Sequence, residues 1–344
     1  MNQTTTLCEF LENTGAELRI YDMGRRVCEI SRDDFLRFER TETAYPLPMQ
    51  QKAWFALVQL RPHVSKEPLI WFLRFDLDEQ GKLVLATRDY FIHRFVELAS
   101  DNKQETDLGA ALQDNPFTFK PREDKLANLN AVVNRDLGMP ASQYFDHAKD
   151  YFGGKLGWEQ WSFIGYQGIA DLAARKSDPH ICRLLSEAIE HLPDEPLHAL
   201  CQCLENHQVG ELLGNALQAR LASALSSESP SPVLLAALLR GLSRAQPERI
   251  GKATRDVLAH PAATNPEILA AVGGRAWEAL FQKPVARAYL ERLASEDVPQ
   301  DVFNHCLGDL LRQPALQAQI LAELRAEDRP EAVARAFQKM LNTQ

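Results

Sequence analysis

The ten residues His198-Ala-Leu-Cys201-Gln-Cys203-Leu-Glu-Asn-His207 carry four side chains of the kind that bind zinc. Spacing decides against a site. On a helix whose apolar stripe is Leu197, Leu200, Cys201 and Leu204, a turn of 100° per residue puts His198 on one flank and Cys203 with His207 on the other. Four ligands on opposite flanks cannot close a tetrahedron, so packed cysteines and two histidines at the solvent edge are expected. Asp76-Leu-Asp78-Glu-Gln80-Gly81-Lys-Leu83 begins like a calcium loop, with oxygen ligands at its first, third and fifth places and glycine at its sixth. Its twelfth place is Thr87, however, where a bidentate glutamate is required. A hairpin turn explains the same residues, with Thr87 capping the helix that follows. Gly153-Gly154-Lys155-Leu156-Gly157 is glycine-rich with a lysine, but it lacks the P-loop spacing and follows no buried strand. No G-x-S-x-G, H-E-x-x-H or G-x-G-x-x-G is present. His93 stands among charged helical neighbours and reads as a structural histidine. No catalytic, cofactor-binding or metal-ligating residue is assigned from these patterns, and no cofactor is expected.

Two groups of residues remain as candidates for binding a partner. Arg240 and Arg244 lie one turn apart, opposite the stripe of Leu235, Leu238, Leu239 and Leu242, and Lys252 and Arg255 similarly oppose Ile250, Val257 and Leu258. All four are expected in solvent. They would serve as a site for an acidic protein segment or a phosphate backbone, or simply as a charged face. The second group is aromatic: Tyr144, Phe145, Tyr151, Phe152, Trp158, Trp161, Phe163 and Tyr166 place eight rings within 23 residues. Trp158 and Trp161 belong either to a docking surface or to ordinary core, and core is the simpler reading because aromatic residues dominate cores anyway.

Composition limits the classes. With 38 basic and 47 acidic side chains the chain carries −9, which opposes whole-molecule attraction to nucleic acid or anionic lipid. The balance changes sign along the chain, from −5 over residues 180–219 to +4 over 220–292. No apolar run approaches a membrane span, and mean hydropathy is −0.30. MNQTTTLCEF has no basic start followed by an apolar stretch, so the cytoplasm is the expected location. Six cysteines among 344 residues form no disulfide framework.

Residues 1–100 read as an α+β domain in the order αββαβββα. A helix carries Leu7, Phe10 and Leu11. ELRIYD and RRVCEI meet at Met23-Gly24 as a hairpin, and Ser31 caps a helix whose first turn holds Asp33 and Asp34. KAWFALVQL, PLIWFLRFDL and KLVLA follow as a meander, and a helix with Phe91, Phe95 and Leu98 closes the domain. Residues 101–157 are a helical connector. From 158 to 344 the apolar spacing is helical throughout, and breaks near Pro179, Asp194, Gly210, Pro232, Pro247, Pro266, Pro284, Pro299, Pro314 and Pro330 mark helix starts. The unit is a helical hairpin of about 35 residues.

This spacing, with SPVLLAALLRGLSRAQPERIGKATRDVLAH as an example, resembles HEAT and armadillo α-solenoid repeats over 158–344. That resemblance implies an extended surface for protein or peptide partners. The chain as a whole resembles an uncharacterised full-length bacterial protein family of unknown function, which implies no activity. The resulting expectation is a non-catalytic cytoplasmic adaptor or scaffold that binds a protein partner through its helical repeats. Two alternatives stay open: a nucleic-acid-associated protein using the basic stretch 240–292, and an enzyme whose site between the domains leaves no motif. The partner's identity and the oligomeric state are not legible.

Overall fold

The computed structural model describes residues 6–13, 15–61, 67–100 and 115–342. They belong to two compact units, Met1–Lys125 with Arg312–Ala315, and Leu126–Leu311 with Leu316–Gln344. Residues 101–114, the start of the expected connector, lie outside the described residues.

The first unit contains α1 (Leu7–Glu12), β1 (Glu17–Asp22), β2 (Cys28–Ile30), α2 (Arg32–Glu39), β3 (Lys52–Leu60), β4 (Leu69–Asp76) and α3 (Leu85–Ser100). The strands form one antiparallel sheet in the order β2-β1-β3-β4, with Tyr21 opposite Ala56 and Trp54 opposite Arg74. Strand alternation puts Phe55 and Leu57 of β3, and Trp71, Leu73 and Phe75 of β4, on the core face. Phe35 and Phe38 of α2 and Phe91 of α3 pack there. Ring centroids lie 4.9 Å apart for Phe35 and Phe55 and 5.1 Å apart for Phe55 and Phe75. The outer edge of β4 is closed by backbone hydrogen bonds, from Arg74 N–H to the Phe117 carbonyl and from Phe119 N–H to the Phe72 carbonyl.

Capping follows the sequence at α2, where Ser31 Oγ accepts from Asp34 N–H at 3.1 Å. At α1 the capping is also non-local. The buried Glu39 carboxylate accepts from the amides of Leu7 at 2.6 Å and Cys8 at 3.1 Å, satisfying donors that a helix start leaves unpaired. Asp22, fully buried, accepts from Tyr45 Oη at 2.8 Å and Arg26 N–H at 2.9 Å. Burial pushes its carboxyl up to about 6, against the pull of these donors.

Two expectations for this unit are corrected. KLVLA forms no strand: only the Leu77–Leu83 bridge exists, and α3 begins at Leu85. The helical spacing of Phe91 and Phe95 onto the core takes the chain out of the sheet. Thr87 is therefore buried inside α3 and is not its cap. The turn before it is closed by Asp78, whose Oδ1 accepts from the amides of Gln80 at 2.9 Å and Lys82 at 2.8 Å, with Gly81 at φ +74°.

The second unit is helical among the described residues: α4 (Glu123–Asp136, which starts before the unit's boundary), α5 (Phe145–Phe152), a 3-10 turn (Trp158–Phe163), α6 (Tyr166–Ala174), α7 (Pro179–Ala188), α8 (Asp194–Leu204), α9 (Glu211–Leu225), α10 (Pro232–Leu242), α11 (Pro247–Ala259), α12 (Pro266–Gly274), α13 (Lys283–Leu293), α14 (Gln300–Leu311), α15 (Pro314–Arg325) and α16 (Glu331–Leu341). The helix starts fall within one residue of the sequence breaks. Proline fits there because the first turn has no intrahelical acceptor to lose. Helices pack on the helix two positions along: α6, α8, α10, α12, α14 and α16 make one layer, and α5, α7, α9, α11 and α13 the other. This is the two-layer, solenoid-like stacking that a hairpin repeat produces. Small residues set the closest approaches. A Cβ on Gly241 of α10 would stand 2.8 Å from Cys201 Sγ of α8, and one on Gly168 of α6 would stand 2.5 Å from the Tyr144 carbonyl oxygen.

Candidate functional site

The basic residues from 240 to 292 do not form a free cationic face. Arg240, expected in solvent, is largely buried and donates from Nε to Glu205 Oε2 at 2.6 Å, while Arg275 Nε stands 3.7 Å from Glu205 Oε1. Glu205 follows α8 with 2% of its side chain exposed, so helix stacking converts a surface-looking arginine into half of a buried ion pair. Arg244 is half-buried against the Gln208 side-chain amide, and its carbonyl accepts from Val209 N–H. Lys252 and Arg255 are exposed as expected. Lys252 pairs with Asp256 at 2.7 Å, and Arg255 Nη1 donates to Gln282 Oε1 at 3.0 Å. The remaining cations are engaged too: Arg249 with Gln218, Lys283 with Glu323, Arg287 with Asp328 and Arg292 with the Leu258 carbonyl. Most of these ties run between helices, and Lys252 pairs within its own.

In the segment 198–207 the two cysteines are packed as expected, and one of the two histidines is not at the solvent edge. Cys201 and Cys203 are fully buried, and burial pushes the Cys201 thiol up to about 12. His207, expected at the solvent edge, is buried with no hydrogen bond to Nε2. Burial first, then the charges of Lys176, Arg135 and Arg244, push its imidazole down to about 3, so it is neutral at pH 7. Among the described residues no group of three or more His, Cys, Asp and Glu side chains gathers as metal ligands do.

A cavity of about 510 Å³ lies elsewhere in this unit, at the start of the array. This volume is within the range of small-ligand sites. Its walls are the end of α5 (Lys149, Phe152), the loop Gly153–Lys155, Trp158 of the 3-10 turn, and α7 with the residue His191 beyond it. On α7, Ile181, Leu185 and Ala188 face the core, which leaves His180, Arg183 and Glu187 on the opposite side and in the cavity wall. The loop is held in place: Gly154 N–H donates to the Tyr151 carbonyl, Lys155 N–H to the Asp150 carbonyl, and Gly154 and Gly157 take φ of +72° and +77°. Trp158 is fixed by three contacts from two neighbours. It stacks on His191 with centroids 5.5 Å apart at 24°, Tyr151 meets it edge-on at 5.7 Å, and its carbonyl accepts from Tyr151 Oη at 2.9 Å.

The positive charge in this cavity is only partly compensated. Lys155 pairs with Asp150 at 2.6 Å, but Lys149 and Arg183 belong to no ion pair among the described residues. Glu187 is the one carboxylate of the lining. The first turn of α7 cannot serve as an anion receiver, since Pro179 offers no N–H and Asp178 Oδ1 already accepts from His180 N–H at 2.8 Å. An anion would therefore be held by side chains. Beside the cavity, the same short 3-10 turn exposes Trp161 and Phe163, the latter 73% exposed.

Of the sequence candidates, Trp158 and, from the wider aromatic group, Phe152 line this cavity. Trp161 stands three residues beyond Trp158 on the same turn, and Arg240, Arg244, Lys252 and Arg255 belong to the later repeats. Lys149, His180, Arg183, Glu187 and His191 were missed. A signal for four of them existed in the spacing 180, 183, 187 and 191, a polar stripe at helical period opposite Ile181, Leu185 and Ala188. Lys155 was considered only as part of a failed P-loop.

No curated protein and no solved structure matches the chain. Over residues 2–341 it matches the family described as "Protein of unknown function (DUF3549)", and the chain belongs to that family.

Proposed function

We propose that the protein is a non-catalytic cytoplasmic adaptor that captures a segment of a partner protein at the cavity between α5, the loop 153–158 and α7. The observation that carries this reading is the pair of unpaired cations, Lys149 and Arg183, in a preformed cavity next to exposed Trp161 and Phe163. An apolar anchor beside a charged pocket suits an acidic segment with a flanking hydrophobic residue, because aromatic and arginine side chains carry most of the affinity at protein interfaces. The helical array behind it is the rigid support. The nucleic-acid alternative has less to draw on, since each lysine and arginine from 240 to 292 is already engaged within the chain.

The test is cross-linked capture from the native host with the full chain, followed by direct binding of the partner so identified. Lys149→Glu with Arg183→Glu is expected to weaken that binding at least roughly tenfold, about 1.4 kcal/mol. Lys252→Glu with Arg255→Glu is expected to leave it unchanged. Equal binding by wild type and the cavity variant would overturn the reading.

A further inference from the structure

We propose that the cavity recognises a phosphate monoester carried on the partner segment, an inference that rests on the adaptor reading above. Two observations point to phosphate rather than to an ordinary acidic side chain, and a third constrains how the ligand lies.

The first is charge. Lys149, Lys155 and Arg183 place three positive charges on one lining against the single lining carboxylate of Glu187; Asp150 pairs with Lys155 and also lies in the field of Lys149, while Lys149 and Arg183 belong to no ion pair among the described residues. A side-chain carboxylate brings one negative charge and is satisfied by a single arginine. A phosphate monoester brings close to two, with three strong acceptor oxygens. The second is the number and kind of donors. Arg183 offers a planar fork, Lys149 a point charge, and His180 and His191 ring nitrogens, all on one lining. This set exceeds what a carboxylate can accept and suits a group with oxygens pointing three ways.

The third is Glu187. A carboxylate among these cations repels any anion set against it, so Glu187 does not select phosphate; it fixes how a ligand must lie, with its charge on the cations and a donor toward Glu187. It tolerates a ligand whose charge is concentrated on one group and which also offers a donor. A phosphorylated side chain on a peptide does both, since a neighbouring backbone N–H can reach a carboxylate while the phosphate takes the cations. The exposed rings of Trp161 and Phe163, on the turn that begins with Trp158, give the residues beside the phosphate an apolar surface. At about 2 Å of rise per residue, Phe163 lies about 10 Å along the turn from Trp158, within the reach of a few extended residues.

The experiment uses the full-length chain and four immobilised or soluble probes. These are a peptide library degenerate around a fixed phosphoserine, the same library with serine, the same with glutamate, and glycerol 3-phosphate. Retention of the phosphoserine library is expected, with the glutamate library weaker by roughly tenfold or more. Inorganic phosphate is expected to compete and to change tryptophan fluorescence, with the change lost in Trp158→Phe. Lys149→Ala with Arg183→Ala should abolish retention while helical circular dichroism is kept, and Arg183→Lys should restore only part of it, because lysine lacks the fork. If glutamate and phosphoserine libraries are retained equally, the phosphate inference fails while the adaptor reading stands. If glycerol 3-phosphate binds and no peptide does, the phosphate chemistry survives and the partner segment does not. If no probe binds and phosphate leaves the fluorescence unchanged, the phosphate inference fails, and the adaptor reading stands or falls on the capture experiment with the cavity variant.

Discussion

Arg240 and Arg183 both sit on helices of the second unit, each beside an apolar stripe that faces the core. Arg240 holds Glu205 at 2.6 Å, with 19% of its side chain exposed, whereas Arg183 lines a cavity and pairs with no carboxylate among the described residues. The difference comes from the neighbouring helix. α8 ends by presenting Glu205 to the arginine of α10, while no acid of α5 is in the lining that Arg183 shares, and Asp150 of α5 is taken by Lys155. An arginine's role in such an array is set by the helix two positions away, so local sequence cannot separate a tie from a receptor.

The comparison is broken most directly by Arg240→Glu. It would set a second carboxylate against Glu205 in a buried position, and a loss of about 3–5 kcal/mol in denaturant unfolding followed by helical circular dichroism is expected. Lys149→Ala with Arg183→Ala should change the same measurement by less than about 0.5 kcal/mol, since neither side chain holds the fold together. Equal losses in the two variants would erase the distinction.

His207 sharpens it through pH. Its imidazole is buried neutral and pushed down to about 3, facing Lys176, Arg135 and Arg244. The unfolded chain takes up a proton near pH 6.5 and the folded one does not, so this stability is present above 6.5 and lost as pH falls. At pH 5 the loss should reach roughly 2 kcal/mol, and His207→Leu should flatten it. Asp22 in the first unit runs the other way. Its carboxyl is raised to about 6, so its contribution is full below pH 4 and declines as pH rises through 6.

Smaller effects come from packing and surface. Gly168→Ala must push its Cβ against the Tyr144 carbonyl oxygen at 2.5 Å and Ala148 Cβ at 2.8 Å, and a net cost of about 1 kcal/mol is expected in the same unfolding assay. Lys252→Ala removes an exposed pair with Asp256 one turn away, and less than about 0.5 kcal/mol is expected.

Helix starts were legible because proline and capping act locally: Pro232, Pro247 and Pro266 each open a helix at the place the sequence marks. Strands β3 and β4 were legible from aromatic and β-branched runs. The KLVLA segment was not, because its fate was decided by the distant core that receives Phe91. The candidate site was hardly legible. Trp158 stood out as an aromatic, but the cavity draws on α5, a loop and α7, and no short window contains all three. His207 was misplaced for the same reason, since helical phase gives the flank on which a side chain lies but not the neighbour that covers it.

The two layers have a consequence for how such a chain can change length. From α5 to α14 each helix packs on the one two positions along, so the array has a parity. Losing or gaining one hairpin shifts later helices along their own layers and preserves every apolar face. Losing one helix would exchange the layers for every helix after it and turn each buried stripe toward the wrong neighbour. Variation in repeat number among related chains should therefore come in pairs of helices.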